Sequence, residues 1–131
     1  MSTARAKVFE YAVEVDRASR LSIPGGAQID RPEGWTADHL LLAALVRCSI
    51  EAFTYHAHRT GHEVVAWGSG RGRVTRRPSD GRYAFVEIQV EVDAQLAPLS
   101  DDPADLAAKA ERDCFVGASL SIEPEYTWRV S

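Results

Sequence analysis

The segment between Thr36 and Thr60 limits the possible folds of this chain more than any other. Thr36 is a residue type that caps helix N-termini, and Gly61 is a residue type that ends helices. Between them apolar side chains recur at helical spacings of three and four, on a stripe formed by Leu41, Leu45, Cys48, Ala52 and Tyr55. Neighbouring leucines, valines and alanines widen that stripe, which is typical of a helix in the centre of a protein. The sequence therefore predicts a long central helix over 36–60.

Strand patterns lie on both sides of this helix. Alternation and turn residues predict strands at 7–15, 20–23, 28–30, 63–77, 82–93 and 124–130. In the strand 82–93 we expect Val86 and Ile88 to face the core and Phe85 to face the opposite side. A helix is expected from Pro103 to Asp113, with a second helical piece at 114–120. This order predicts an α+β fold, with helices packed on a largely antiparallel sheet.

Composition and charge argue against some classes of binding partner. The 131 residues predict one domain, 1–131, with an apolar fraction of 45% and a net charge of -4. An acidic balance argues against a nucleic-acid partner. No apolar run approaches the roughly 18 residues of a membrane span, and the first residues resemble no secretory signal. We therefore expect a cytoplasmic protein that binds neither nucleic acid nor membrane.

Two cysteines stand out because they are too few for a disulfide scaffold. Cys48 lies inside the predicted central helix, and Cys114 follows 66 residues later at the start of another helical piece. In a reducing compartment two such thiols indicate either redox chemistry or simple burial in a core. Cys48 lies about 18 Å along the axis from the presumed N-cap, so the helix dipole does little to activate it. Arg47 points about 100° away around the helix and is a poor source of positive charge.

The segments Thr36–Cys48 and Cys114–Leu120, in this order of elements, resemble the OsmC/Ohr family of osmotically inducible and organic hydroperoxide resistance proteins. The resemblance implies a sheet wrapped on a long central helix in an intertwined homodimer. It also implies that Cys48 attacks the distal oxygen of an organic hydroperoxide and becomes a sulfenic acid. Cys114 would then form a disulfide with Cys48, and a dithiol reductant, of the lipoyl type, would reopen it. No cofactor and no metal are implied.

The resemblance also implies two supporting charges. One is an arginine from an N-terminal strand or turn, for which Arg17 is preferred over Arg20. The other is Asp38, at the position where the active peroxidases carry glutamate. Asp38 precedes Cys48 by ten residues, about 15 Å along one helix, so the two cannot meet within it. If Asp38 acts at the thiol it must come from a second copy of the chain, with the long helices packed antiparallel about a two-fold axis.

The sequence contains several other candidate binding residues. Trp35, in the loop before the long helix, is the candidate for lining a substrate pocket. The histidines His56, His58 and His62 lack the spacing of metal ligands on one helix face and are expected to be solvated near the helix end. The stretch Phe115–Val116 differs from the proline-containing stretch common in the hydroperoxidases. The alternative function is a non-enzymatic protein of the same fold, which binds a small apolar ligand at the dimer interface.

Overall fold

The structure is a computed structural model that describes residues 6–30 and 33–131. Positions 31 and 32 of the predicted 31–35 loop lie outside these described residues. The chain divides into two compact units, Met1–Trp35 and Thr36–Ser131. The prediction of a single domain over 1–131 stays a prediction.

The N-terminal unit holds three short antiparallel strands. They are β1 (Glu14–Val15), β2 (Leu21–Ser22) and β3 (Gln28–Ile29), in the sheet order β1-β2-β3. The predicted strand 7–15 is therefore paired only over its last two residues. Most of the large apolar side chains described in this unit are exposed, among them Val8, Tyr11, Val13, Val15, Ile23 and Ile29. By itself this unit covers little of its own apolar surface.

The C-terminal unit contains the long helix and the larger sheet. Its elements are α1 (Ala37–Arg59), β4 (Glu63–Arg76), β5 (Tyr83–Ala97), α2 (Pro103–Asp113), α3 (Phe115–Ala118) and β6 (Glu125–Val130). The sheet order is β4-β5-β6, with β4 antiparallel and β6 parallel to β5. The predicted order of elements and the α+β class are confirmed. The parallel pairing of β6 is a feature that the alternation of residues does not predict.

The predicted ends of α1 are confirmed to within one residue. At its start the Thr36 side chain accepts the backbone N–H of His39, and His39 Nδ1 accepts the backbone N–H of Thr36 at 3.1 Å. These reciprocal bonds satisfy backbone donors that have no partner inside the helix. At its end Gly61 has a φ of 85°, in the left-handed region that glycine adopts most readily.

The buried face of α1 lies about one residue further round the helix than predicted. Its fully buried side chains are Leu45, Ser49, Phe53 and Ala57, and Tyr55 is exposed. Phe53 occupies the core because its ring stacks on Trp128, with centroids 5.3 Å apart. Ser49 is tolerated on this face because its hydroxyl donates to the Leu45 carbonyl at 2.8 Å. The predicted stripe through Tyr55 is therefore wrong at its C-terminal end.

A row of glycines lets α1 approach the sheet closely. Gly68, Gly70 and Gly72 alternate along β4, and a Cβ added at Gly70 would lie 2.9 Å from Val46 Cγ2. At Gly72 an added Cβ would lie 3.4 Å from Leu42 Cδ2. Side chains at these positions would push the helix away from the strand, so the glycines set the helix–sheet distance.

The predicted orientation of Phe85 is wrong because a bulge interrupts the strand pairing. Arg73 pairs with Glu87 whereas Val74 pairs with Phe85, so Val86 is an extra residue on β5. An extra residue reverses the alternation of side chains beyond it. The Phe85 ring consequently lies over Gly72 and packs against the buried cluster of the inner face.

By length and composition α1 could cross a membrane, contrary to the expectation that no segment approaches that length. Only 22% of its most apolar 18-residue window is buried within the chain. One such helix is weak evidence for a span, because core helices meet the same criterion. The low buried fraction shows instead that the rest of this chain leaves much of the surface of α1 uncovered.

We expect Gly70→Ala to lower the free energy of unfolding by about 1–3 kcal/mol, because the new methyl group overpacks against Val46. Chemical denaturation measures this change. Ser69→Ala, on an exposed position of the same strand, is the matched control. In a double-mutant cycle Val46→Ala should recover part of the loss. Strictly additive effects of Gly70→Ala and Val46→Ala would contradict close contact between α1 and the glycine row.

Candidate active site

The two cysteines lie together in the core of the C-terminal unit. Cys48 projects from α1 and is half-buried, whereas Cys114 is fully buried between α2 and α3. Both are free thiols, and both belong to one apolar cluster built around Leu45 and the β5 residues Ile88, Val90 and Val92. The Cys114 thiol lies close enough to Cys48 to raise the pKa of Cys48. Solvent therefore reaches one thiol of the pair and not the other.

Cys114 is held in place by the start of α3. It has an extended backbone, with φ -72° and ψ 112°, and its sulfur accepts the backbone N–H of Gly117 at 3.4 Å. Cys114, rather than the preceding Asp113, is thus the N-cap of α3. Asp113 does not cap because its carboxylate is turned to Arg112, at 2.9 Å, and to His56, at 2.7 Å.

Opposing influences act on the Cys48 thiol. Burial raises its pKa above the ordinary value, since a thiolate is poorly solvated among apolar side chains. The neighbouring Cys114 thiol raises it further, while the backbone N–H groups of Val116 and Phe115 lower it. The net result is a raised pKa. Arg47 points elsewhere and pairs with Glu51 at 3.0 Å, as its predicted direction on the helix requires.

Two hydroxyl groups, those of Ser49 and Tyr126, form a network with the Cys114 thiol. Ser49 Oγ lies 3.7 Å from Cys114 Sγ and 3.1 Å from the Tyr126 hydroxyl oxygen. Burial raises the pKa of Tyr126 to about 12, so this phenol stays protonated and donates. Sequence reasoning missed both hydroxyl residues. The available signal was a serine next to Cys48 inside an apolar helix, because a buried hydroxyl needs a partner.

A polar contact between His56 and Asp113 ties α1 to the end of α2, next to Cys114 in the sequence. His56 Nε2 lies 2.7 Å from Asp113 Oδ2, and His56 is largely buried rather than solvated as expected. His62 is also engaged, with Nδ1 2.7 Å from the Pro98 carbonyl oxygen. The Arg112 guanidinium, with a smaller contribution from His56, holds the pKa of Asp113 at about 2. Within residues 6–30 and 33–131 no three His, Cys, Asp or Glu side chains are grouped as a metal site.

The C-terminal unit places none of the other predicted site residues next to the two thiols. Asp38 is exposed in the first turn of α1, ten residues and about 15 Å before Cys48. Arg17, Arg20 and Trp35 belong to the N-terminal unit. Arg20 is bound to Asp16 at 2.9 Å, whereas Arg17 is exposed and forms no ion pair with the described residues. Trp35 is 46% exposed.

Comparison with known proteins places this arrangement in a family. A family model described as OsmC-like protein matches residues 30–129, which include both cysteines. The chain belongs to the OsmC-like protein family. No curated protein gives a significant match to the sequence.

Solved structures of OsmC-like proteins share the fold at low sequence identity. An OsmC-like protein of unknown function from Vibrio cholerae has a TM-score of 0.79 at 16% identity, over 92% of this chain and 99% of that one. An OsmC-like protein from Mycoplasma pneumoniae has a TM-score of 0.71 at 17% identity, over 96% and 99%. The organic hydroperoxide resistance protein OhrB of Bacillus subtilis has a TM-score of 0.57 at 18% identity, over 93% and 96%. The predicted family and fold type are confirmed.

We expect the Asp113 pairing to make stability depend on acid pH. Its pKa is lower in the folded chain, about 2, than the value near 3.9 in unfolded chains. The stabilisation is therefore complete above about pH 4 and is lost as the pH falls toward 2. Asp113→Asn should flatten the fall of the denaturation midpoint between those pH values. Asp105→Asn, which removes an exposed pairing with Lys109, is the control, and an equal effect of the two substitutions would contradict the role of Asp113.

Proposed function

We propose that this OsmC-like protein is a thiol-dependent peroxidase that reduces organic hydroperoxides, with Cys48 as the peroxidatic and Cys114 as the resolving residue. One observation carries the proposal: a half-buried thiol and a fully buried thiol lie side by side in an apolar cluster. A hydroperoxide with an organic tail suits apolar surroundings. The structural likeness to a protein named for organic hydroperoxide resistance supports the same class of substrate.

Accessibility assigns the two roles. A peroxide arriving from solvent meets Cys48, because Cys114 has no exposed surface. The Cys48 thiolate attacks the distal oxygen, the O–O bond breaks, and the alkoxide takes a proton and leaves as an alcohol. Cys48 becomes a sulfenic acid. The N–H groups of Val116 and Phe115 favour the anionic sulfur that begins this step.

Resolution follows from the position of the buried thiol. Cys114 sulfur attacks the sulfenic sulfur, a disulfide bond forms, and hydroxide leaves with the thiol proton as water. A dithiol reductant, of the lipoyl type, then reduces the Cys48–Cys114 disulfide and becomes oxidised itself. The cycle needs no metal and no organic cofactor, because sulfur carries the electrons.

Because burial raises the pKa of Cys48, the proposed peroxidase requires a positive charge from elsewhere to stabilise the thiolate. Arg17 is the best candidate because it is exposed and uncommitted among the described residues, whereas Arg20 is occupied by Asp16. Asp38 is the supporting carboxylate. Its separation of about 15 Å from Cys48 along α1 requires that it serve the thiol of a second copy. We therefore propose a homodimer in which the exposed surfaces of α1 and of the N-terminal unit are covered.

The alternative is a non-enzymatic protein that binds a small apolar ligand at the dimer interface. The raised pKa of Cys48 favours it, because a protonated thiol is a weak nucleophile. Alkylation rate against pH separates the two functions. A Cys48 pKa at or above about 8.5 in the wild-type protein, unchanged in Arg17→Ala, would support the binding protein.

Peroxide consumption tests the proposal directly. With cumene hydroperoxide as substrate and dihydrolipoamide as donor, the wild-type protein should turn over and Cys48→Ser should be inactive. With the donor omitted, Cys114→Ser should consume one equivalent per chain and stop as a sulfenic acid, which dimedone traps. Ser119→Ala, at the C-cap of α3, where the hydroxyl donates to the Phe115 carbonyl, is the control. A wild-type protein no faster than Cys48→Ser would refute peroxidase activity.

Mixed dimers test whether Asp38 serves the partner's thiol. Cys48→Ser and Asp38→Ala are each expected to be inactive or weakly active. Co-expressed with different tags and purified as a mixed dimer, they should regain about half of the wild-type activity, because one of the two sites is then intact. If the mixture is no more active than its parents, or if Asp38→Ala is fully active, then Asp38 does not act across the interface.

A further inference from the structure

Ser49 makes more contacts than its burial requires. Among the described residues it is the one fully buried polar side chain, with no exposed surface. A buried hydroxyl must be hydrogen-bonded, and its bond to the Leu45 carbonyl already meets that need. Yet its oxygen also faces the Tyr126 hydroxyl and the Cys114 thiol. Alanine would fill this helical position without any polar group to satisfy.

The direction of each hydrogen bond follows from the donors available. Ser49 has one proton, which goes to the Leu45 carbonyl at 2.8 Å, so its oxygen accepts from its other two neighbours. Tyr126 O–H donates from 3.1 Å, and Cys114 S–H donates from 3.7 Å. The Cys114 proton is thus directed at Ser49. The lone pairs of the Cys114 sulfur remain available. They accept the Gly117 N–H, at 3.4 Å, and can face Cys48.

We propose that Ser49 is a positioning residue that orients the Cys114 thiol for attack on Cys48, with Tyr126 holding the Ser49 hydroxyl in place. This inference rests on the proposed function, for which it names a residue that controls the resolving step. In that step the Cys114 S–H bond breaks, the S–S bond forms, and the S–O bond of the sulfenic acid breaks to release water. Ser49 accepts a hydrogen bond from the Cys114 S–H group beforehand. As the thiol proton passes to the leaving hydroxide, Ser49 rotates away from Leu45 and donates a hydrogen bond to the sulfur.

The surroundings of Cys114 leave this role to Ser49. The titratable groups that act nearest to it are Cys48 from α1 and Tyr126 from β6, and Glu111 of α2 acts on Tyr126 in turn. None of these is a cation. Asp113, the preceding residue, is turned to His56 and Arg112. Hydroxyl and backbone N–H groups are therefore what fixes the direction of this sulfur.

Disulfide closure by diamide tests the proposal without relying on peroxidase activity. The Cys48 thiolate adds to the N=N bond, and Cys114 then displaces the hydrazine product as the disulfide forms. Ser49→Ala and Tyr126→Phe should slow this closure roughly three- to tenfold, the effect of losing one neutral hydrogen bond. Tyr126→Phe keeps the ring stacked on Trp128, so it serves if Ser49→Ala folds poorly. Ser119→Ala, whose hydroxyl also donates to a helix carbonyl, should close at the wild-type rate.

A spectroscopic readout separates orientation from packing. In the Cys48→Ser background, the Raman S–H band of Cys114 should move to higher frequency in Ser49→Ala, because the S–H group loses its acceptor. Closure at the wild-type rate in both hydroxyl variants, or an S–H band that does not move, would overturn the proposal. These results are independent of peroxidase turnover. Slow closure in a protein that fails to consume peroxide would support the role of Ser49 and refute only the proposed function.

Discussion

Close packing of α1 on the glycine row of β4 is the constraint on which the rest of the C-terminal unit depends. Gly68 and Gly70 bring the helix backbone near the strand, and Val46 fills the remaining space. The buried face of α1 then lies over the large aliphatic side chains of β5. In this position the turn that carries Cys48 and Ser49 meets the junction of α2 and α3, where Cys114 caps a short helix. A helix held further from the sheet would separate the two thiols.

Placing thiols in an apolar core has a chemical consequence. Burial raises the pKa of Cys48, and two backbone N–H groups offset only part of that effect. Under the proposed mechanism, the same burial would shield a sulfenic acid at Cys48 from bulk solvent, with Cys114 as the nearby nucleophile. As a peroxidase site, the thiol pair requires a positive charge at Cys48, which we propose a second copy of the chain supplies.

Local patterns predicted the elements well, since caps and turns act within a few residues. Thr36 and Gly61 mark the two ends of α1, which the structure reproduces. The errors arise from packing at long range. The bulge that turns Phe85 inward and the stacking that selects Phe53 over Tyr55 depend on partners distant in sequence.

Contacts between residues distant in the sequence also limited the prediction of the site. Family resemblance brought Cys48 and Cys114 forward as a pair, but their hydroxyl partners depend on contacts between α1 and β6 that no local pattern encodes. His56 was expected in solvent because its partner, Asp113, lies 57 residues away. In the sequence alone, the glycines of β4 indicate only a kink in the strand. They are close contacts once the helix is placed over them.

Thiol titration during oxidation by substrate tests the central claim, that Cys48 and Cys114 form one redox pair. The reduced protein is treated with one equivalent of cumene hydroperoxide, without any reductant, and is then analysed by intact mass and by peptide mapping. The account predicts that both thiols of each chain disappear together, that the mass falls by two hydrogens, and that one peptide links Cys48 to Cys114. Two free thiols after exposure, or a disulfide between two Cys48 residues of different chains, would contradict it.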